Sequence, residues 1–149
     1  MQIITKNSQG TIDFGKKIAK VLKKGDIIAF IGNLGAGKTT LIKGIAQGLG
    51  VRQNLVSSPS FVLLKTYNGK LPVYHFDFYR IKKAKDSYAI GLDEFLFSDG
   101  VSLIEWADRI KKILPQKYLR VGLKSINENQ RKIILTGIGK RYKDLIKKL

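Results

Sequence analysis

The sequence predicts an α/β fold with a mixed, partly parallel sheet flanked by helices, and two observations carry that expectation. The run Asp26 to Ile31 is continuously apolar after its first residue and of strand length, the pattern of a parallel strand buried on both faces. A glycine-rich turn follows it, and then Leu41, Ile42, Ile45, Ala46 and Leu49 recur at helical spacing up to Gly48 and Gly50. Strand, glycine turn and helix in that order open a βαβ unit.

The other elements follow in chain order. After a short apolar start, Phe14, Ile18, Val21 and Leu22 predict an amphipathic helix over Thr11 to Leu22, with lysines on its opposite face, ended by Gly25-Asp26. Phe61 to Tyr67 and Val73 to Tyr79 are aromatic and β-branched runs separated by Asn68-Gly69-Lys70, which predicts a hairpin. Asp86 to Phe97 predicts short helical turns. Val101 to Glu105 reads as another buried strand, ending in an acid. Tyr118 to Lys124 and Arg131 to Thr136 read as later strands, and a basic helix closes the chain. There is no repeat, low-complexity tract or linker, so a single domain over 1–149 is expected.

Composition narrows the chemistry. The 149 residues contain no cysteine and one histidine, His75, which excludes disulfide scaffolds, thiol catalysis, cysteine-ligated metals and multi-histidine sites. The longest apolar run, Ile27 to Ile31, is far short of the ~18 residues of a membrane span. The first residues carry neither an apolar h-region nor a small-residue cleavage site. A soluble, cytoplasmic protein with no membrane partner is expected. The net charge is +17, with 22 Lys against 6 Arg. A charge of that size favours encounters with phosphate-bearing partners, yet the lysines are scattered without the interleaved aromatics of an RNA-binding signature, so a solvated basic surface is the plainer reading.

Gly32-Asn33-Leu34-Gly35-Ala36-Gly37-Lys38-Thr39 satisfies G-x-x-x-x-G-K-[ST], immediately after the buried strand and at the start of the helix. Glycines let backbone N–H groups wrap phosphates, and the helix N-terminus adds the positive end of its dipole. Lys38 would meet the β/γ-phosphates, and the Thr39 hydroxyl would hold Mg²⁺. The sequence therefore predicts a P-loop NTPase-like three-layer sandwich that binds a nucleoside triphosphate. Neither N-K-x-D nor D-x-x-G, the guanine-site signatures, occurs; ATP is favoured by elimination.

Such a site needs an acid at a strand end to hold the metal or orient the attacking water. Asp77 and Glu105 both qualify. Ser57-Ser58-Pro59-Ser60-Phe61 is a hydroxyl-rich turn placed where a γ-phosphate-sensing switch belongs. His75 reads as a packed or hydrogen-bonded core group before it reads as a base. Trp106 is open between core and a cover for the site.

Together, Gly32 to Thr40 (GNLGAGKTT), Ser58 to Phe61 (SPSF), His75 to Arg80 (HFDFYR) and Glu105-Trp106 resemble the bacterial TsaE (YjeE) family, small P-loop ATPases of tRNA threonylcarbamoyladenosine biosynthesis. The resemblance spans Ser8 to Arg109 and fades past Pro115. It implies binding of ATP and Mg²⁺, slow hydrolysis, and action with the TsaB and TsaD proteins that modify adenosine 37 of tRNA, so that tRNA is met through that complex. By position it implies Thr39 and Glu105 as Mg²⁺ ligands and Leu34, Gly35, Ala36, Gly37, Lys38, Thr39 and Thr40 around the phosphates. Ser8 and Thr11 would approach the base, Asp77 the hydrolytic water or the metal's outer shell, and Ser60 the γ-phosphate. The chain departs from the family pattern at Asn33, usually Asp, at Ser60, usually Thr, and at Ala107, often Pro. Two other readings stand beside this one: a P-loop small-molecule kinase, and a basic RNA-binding module that uses ATP only structurally.

Overall fold

The computed structural model describes residues 1–149. Its sheet is organised around the predicted buried strand, β2 (Ile27–Ile31). Ile28 and Phe30 pack into one apolar cluster and Ile27 and Ala29 into another, as the two-residue side-chain period of a strand requires. Parallel neighbours flank β2 on both edges: β5 (Val101–Glu105) on one and β6 (Tyr118–Ser125) on the other. Beyond β5 lies β4 (Pro72–Asp77), parallel to it, and then β3 (Leu64–Asn68), antiparallel to β4. Beyond β6 come β7 (Arg131–Ile138) and β1 (Gln2–Thr5), each antiparallel to its neighbour. The order is β1-β7-β6-β2-β5-β4-β3.

Helices cover both faces. α1 (Ser8–Ala19), α2 (Lys38–Gly48) and the C-terminal α4 (Lys140–Ile146) close the larger cluster through Phe14, Ile18, Leu41, Ile45, Tyr142 and Leu145. α3 (Leu92–Leu96) and the short 3-10 segments Ala84–Ile90 and Ala107–Ile110 cover the opposite face over Phe76, Phe78 and Ile104. The fold is the expected α/β sandwich with a mixed, partly parallel sheet. No helix is long and apolar enough to cross a membrane.

Several boundaries differ from expectation. α1 begins three residues earlier because the Asn7 side chain caps it, accepting from the Gly10 N–H at 2.7 Å, and it ends at Ala19. Asp26 does not open β2. It is buried just before it, with its carboxylate accepting the Lys23 N–H at 2.8 Å. Phe61, Val62 and Leu63 are not strand: the Pro59 carbonyl captures the N–H groups of Val62 and Leu63, and Leu63 turns through φ +65°. Phe61 is left 84% exposed. The apolar start, which gave no strand signal of its own, pairs as an edge strand with β7.

One close approach fixes the site's supporting helix. A Cβ on Gly15 of α1 would lie 2.5 Å from the Leu41 carbonyl oxygen of α2, and one on Gly44 would run into the main chain of Ile12. Two glycines therefore let α1 and α2 touch backbone to backbone. Gly44→Val is expected to destabilise the protein by about 3 kcal/mol, because the clash is with main chain that cannot rotate away. At this chain length that is a fall of roughly 6–12 °C in melting temperature. An unchanged thermal melt would show that the helices do not meet at Gly44.

Candidate functional site

The loop 32–37 leaves the end of β2 and delivers the chain to α2. Gly37, the residue before the helix, sits at φ +98°, where a side chain would be strained. α2 has no acid in its first turn and no side-chain cap, so its first N–H groups are not claimed by a neighbouring side chain. The loop closes on its own lysine: Lys38 Nζ donates to the Gly32 and Asn33 carbonyls at 2.8 and 3.0 Å. The Asn33 carbonyl also accepts the Ala36 N–H at 3.1 Å, so Asn33 contributes to loop shape through its main chain. An ammonium has three N–H donors, which leaves one for an anion. Burial lowers the Lys38 pKa, while the carboxylates of Glu105, Asp77 and Asp108 pull it back up.

The two strand-end acids come together because β4 and β5 run parallel in a register that pairs Asp77 with Glu105. Thr39, at the start of α2, donates its hydroxyl to Glu105 at 2.9 and 3.1 Å from the two carboxylate oxygens. His75, two residues before Asp77 and hence on the same face, hydrogen-bonds Glu105 Oε1 through Nε2 at 2.8 Å. It is fully buried and its Nδ1 has no partner. His75 is thus a hydrogen-bonded core group, as its place in the Val73–Tyr79 run favoured, and it orients Glu105.

Asp77 is occupied differently. Its Oδ2 accepts both the Ser58 and the Ser60 hydroxyls, at 2.9 and 2.8 Å, and its Oδ1 accepts the Tyr79 N–H at 2.8 Å. Pro59 between the serines, with its carbonyl taken by the following turn, holds the two hydroxyls on one side. The hydroxyl-rich segment and the strand-end acid are one hydrogen-bonded unit.

Leu34, Gly35, Gly37, Lys38, Thr39, Thr40, Ser60, Asp77 and Glu105 all line a single cavity of about 280 Å³. Ala36 does not: its side chain packs in the larger core cluster. Ser8 and Thr11 line a small groove beside the cavity, shared with Gly37 and Thr40. Thr11 is buried there, its hydroxyl bonded to Thr5 Oγ1 at 2.7 Å. Trp106 lines the cavity too. As a non-glycine residue at φ +56° it turns the chain sharply after Glu105, and its ring lies 4.1 Å from Lys38 Nζ.

Sequence reasoning missed one lining residue, Arg131, and gave Ser58 and Tyr79 no individual role although both lie in the motifs it singled out. Ser58 and Tyr79 stand one or two residues from Pro59 and Asp77 and were within reach of the motif reading. Arg131 was not, because it comes from the start of β7, across the sheet. Its guanidinium is steadied by the Asn127, Glu128 and Gln130 carbonyls at 2.8–3.1 Å, and its side chain passes beside Gly37.

A parallel strand, a glycine loop closed on a lysine, a helix N-terminus and a strand-end acid bonded to the threonine that follows that lysine define a P-loop α/β fold. The profile of the family described as "Threonylcarbamoyl adenosine biosynthesis protein TsaE" matches residues 5–133. This chain belongs to the TsaE family. It is 42% identical to the tRNA threonylcarbamoyladenosine biosynthesis protein TsaE of Bacillus subtilis over 97% of its own length and 90% of that protein's. Its identity to the TsaE of Treponema pallidum is 35%, over 89% of this chain and 98% of that one. The crystal structure of Bacillus subtilis YdiB superposes with a TM-score of 0.85 at 39% identity, covering 99% of this chain and 91% of that one. The match extends well past Pro115, where the motif resemblance fades.

Proposed function

We propose that this protein serves tRNA threonylcarbamoyladenosine biosynthesis as an ATP-binding, slowly hydrolysing switch acting on a TsaB–TsaD complex, meeting tRNA through that complex. The observation that carries the switch is the shared carboxylate oxygen of Asp77, which holds Ser58 and Ser60 together at the mouth of the phosphate loop. A γ-phosphate arriving beside Lys38 would compete for these hydroxyls, so its presence or loss would change how the segment 57–61 is held.

The residues fit Mg²⁺. Thr39 Oγ1 and the Glu105 carboxylate are hard oxygen donors within 3.1 Å of each other, at the helix that meets the phosphates. No group of three or more His, Cys, Asp or Glu side chains gathers elsewhere into a metal cage. A cation that keeps several waters and takes its other ligands from phosphate oxygens suits one hydroxyl and one carboxylate. Mg²⁺ there would neutralise phosphate charge. The chain's own part is to hold that pair in place: His75 fixes the Glu105 carboxylate, Lys38 meets the phosphates, and Asp77 with Ser60 positions the attacking water. Leu34, Gly35, Gly37 and Thr40 border the phosphates, and Ser8, Thr11 and Arg131 lie on the side where the nucleoside would extend.

The test is linkage. Affinity for TsaB–TsaD, measured with ATP, with ADP and without nucleotide, is expected to differ among the three states, and the pair should alter nucleotide affinity by the same factor. Three equal affinities would remove the switch, and rapid phosphorylation of a metabolite would point to a kinase instead.

A further inference from the structure

A second cavity, of about 500 Å³, opens at the opposite pole of the sheet, where the chain enters β2, β5 and β6 and leaves β7. The five residues of β2, at ~3.3 Å each, put about 16 Å between it and the phosphate loop. Its size is that of a small-ligand pocket.

Its wall combines three free ammonium groups with an exposed ring. Lys23, Lys24 and Lys117 all line it, and none forms a salt bridge. Phe97, 75% exposed, is the most open apolar group beside them. The acid in the wall, Asp26, is already neutralised: Arg141 donates to both its oxygens, at 3.2 and 2.6 Å, and the Lys23 N–H adds a third bond. Asp99, the next acid along from Phe97, lies outside the wall. The cavity thus has three lysines and an exposed aromatic ring along its wall, on a protein of net charge +17.

We propose that this cavity binds a nucleoside phosphate unit, with its base against Phe97 and its phosphate on Lys23, Lys24 and Lys117. The unit comes either from a free nucleotide or from a residue of single-stranded RNA. Every base has a π-face to stack, and lysines follow phosphates as point charges, which is how sequence-tolerant strands are held. An acidic protein segment is the poorer fit. Its carboxylates could pair with the same ammonium groups, but it carries no base to stack on Phe97, and the guanidinium fork that would grip both oxygens of a carboxylate is committed to Asp26. The inference is independent of the ATP reading, since it uses no residue of the nucleotide cavity.

The test is fluorescence anisotropy of a labelled short oligoadenylate with the full chain at physiological salt. Phe97→Ala is expected to weaken binding roughly tenfold, the loss of one stacked base. Lys24→Glu alone should weaken binding and flatten its salt dependence, and combining it with Lys117→Glu should abolish binding. These variants change exposed side chains, and matching thermal melts would confirm that they fold. Lys38→Ala should bind the oligonucleotide as the parent does. Displacement by AMP would identify a free nucleotide as the source, and its failure to compete would identify RNA; either outcome supports the cavity. The proposal is overturned by the absence of binding, by binding that the cavity variants leave unchanged, by loss of binding in Lys38→Ala, or by polyglutamate competing as well as the RNA.

Discussion

Lys38→Ala is expected to weaken ATP binding by at least about 30-fold, because truncating one partner of a buried, hydrogen-bonded charge pair costs about 2–5 kcal/mol. The site has no substitute. Lys38 is the only lysine of the cavity wall, and Arg131 is tied to three carbonyls on the far side. The fold should survive, since the deleted ammonium is bonded only to carbonyls of its own loop. Calorimetric titration of ATP, with a thermal melt as control, separates the two effects. Unchanged affinity would mean that this loop is not the nucleotide site.

The second large effect distinguishes the paired acids. Asp77→Asn should leave ATP affinity within a few-fold of the parent but slow hydrolysis by roughly 10²-fold or more, the usual contribution of a positioned general base. Glu105→Gln should instead weaken the Mg²⁺-dependent part of nucleotide binding, because the amide is a poor partner for the cation that Thr39 and Glu105 would share. The structure gives a reason to expect this split. Glu105 is bonded to the helix threonine and to His75, whereas Asp77 is bonded to Ser58 and Ser60 of the segment 57–61. If the phenotypes are exchanged, the metal ligand belongs to β4 and not to β5.

What could be read from the residues was whatever is local along the chain. The phosphate loop, the helix after it and the strand ends at Asp77 and Glu105 are contiguous signals, and each lies where its pattern placed it. Their juxtaposition was not legible: parallel pairing of β4 with β5, which sets Asp77 beside Glu105, is a decision of the sheet and leaves no mark in either segment. Arg131 was missed for the same reason. Phe61 misled because its composition is that of a strand, while the Pro59 carbonyl bends the chain before the ladder begins. Asn7 was a cap signal in plain view, passed over because the apolar period starts later, at Phe14. Trp106 was undecidable from sequence, since only its left-handed backbone turns the ring towards Lys38.

The strand order has a consequence for how the chain is made. β2 leaves the ribosome early, yet both strands that flank it, β5 and β6, lie from Val101 onwards, and β1 waits longer still for β7. At ~5–20 residues per second, the nascent phosphate-loop strand spends several seconds unpaired, with the apolar faces of α1 and α2 lacking a sheet to cover. A truncated chain stopping before Val101 would hold the whole phosphate loop and still have no centre to fold around. Folding must therefore be largely post-translational and all-or-none, slowed by its non-local parallel pairings. Chaperone demand should fall on the interval between completion of α2 and the release of β6, which ribosome-stalled chains of graded length would reveal as a late, single step in protease resistance.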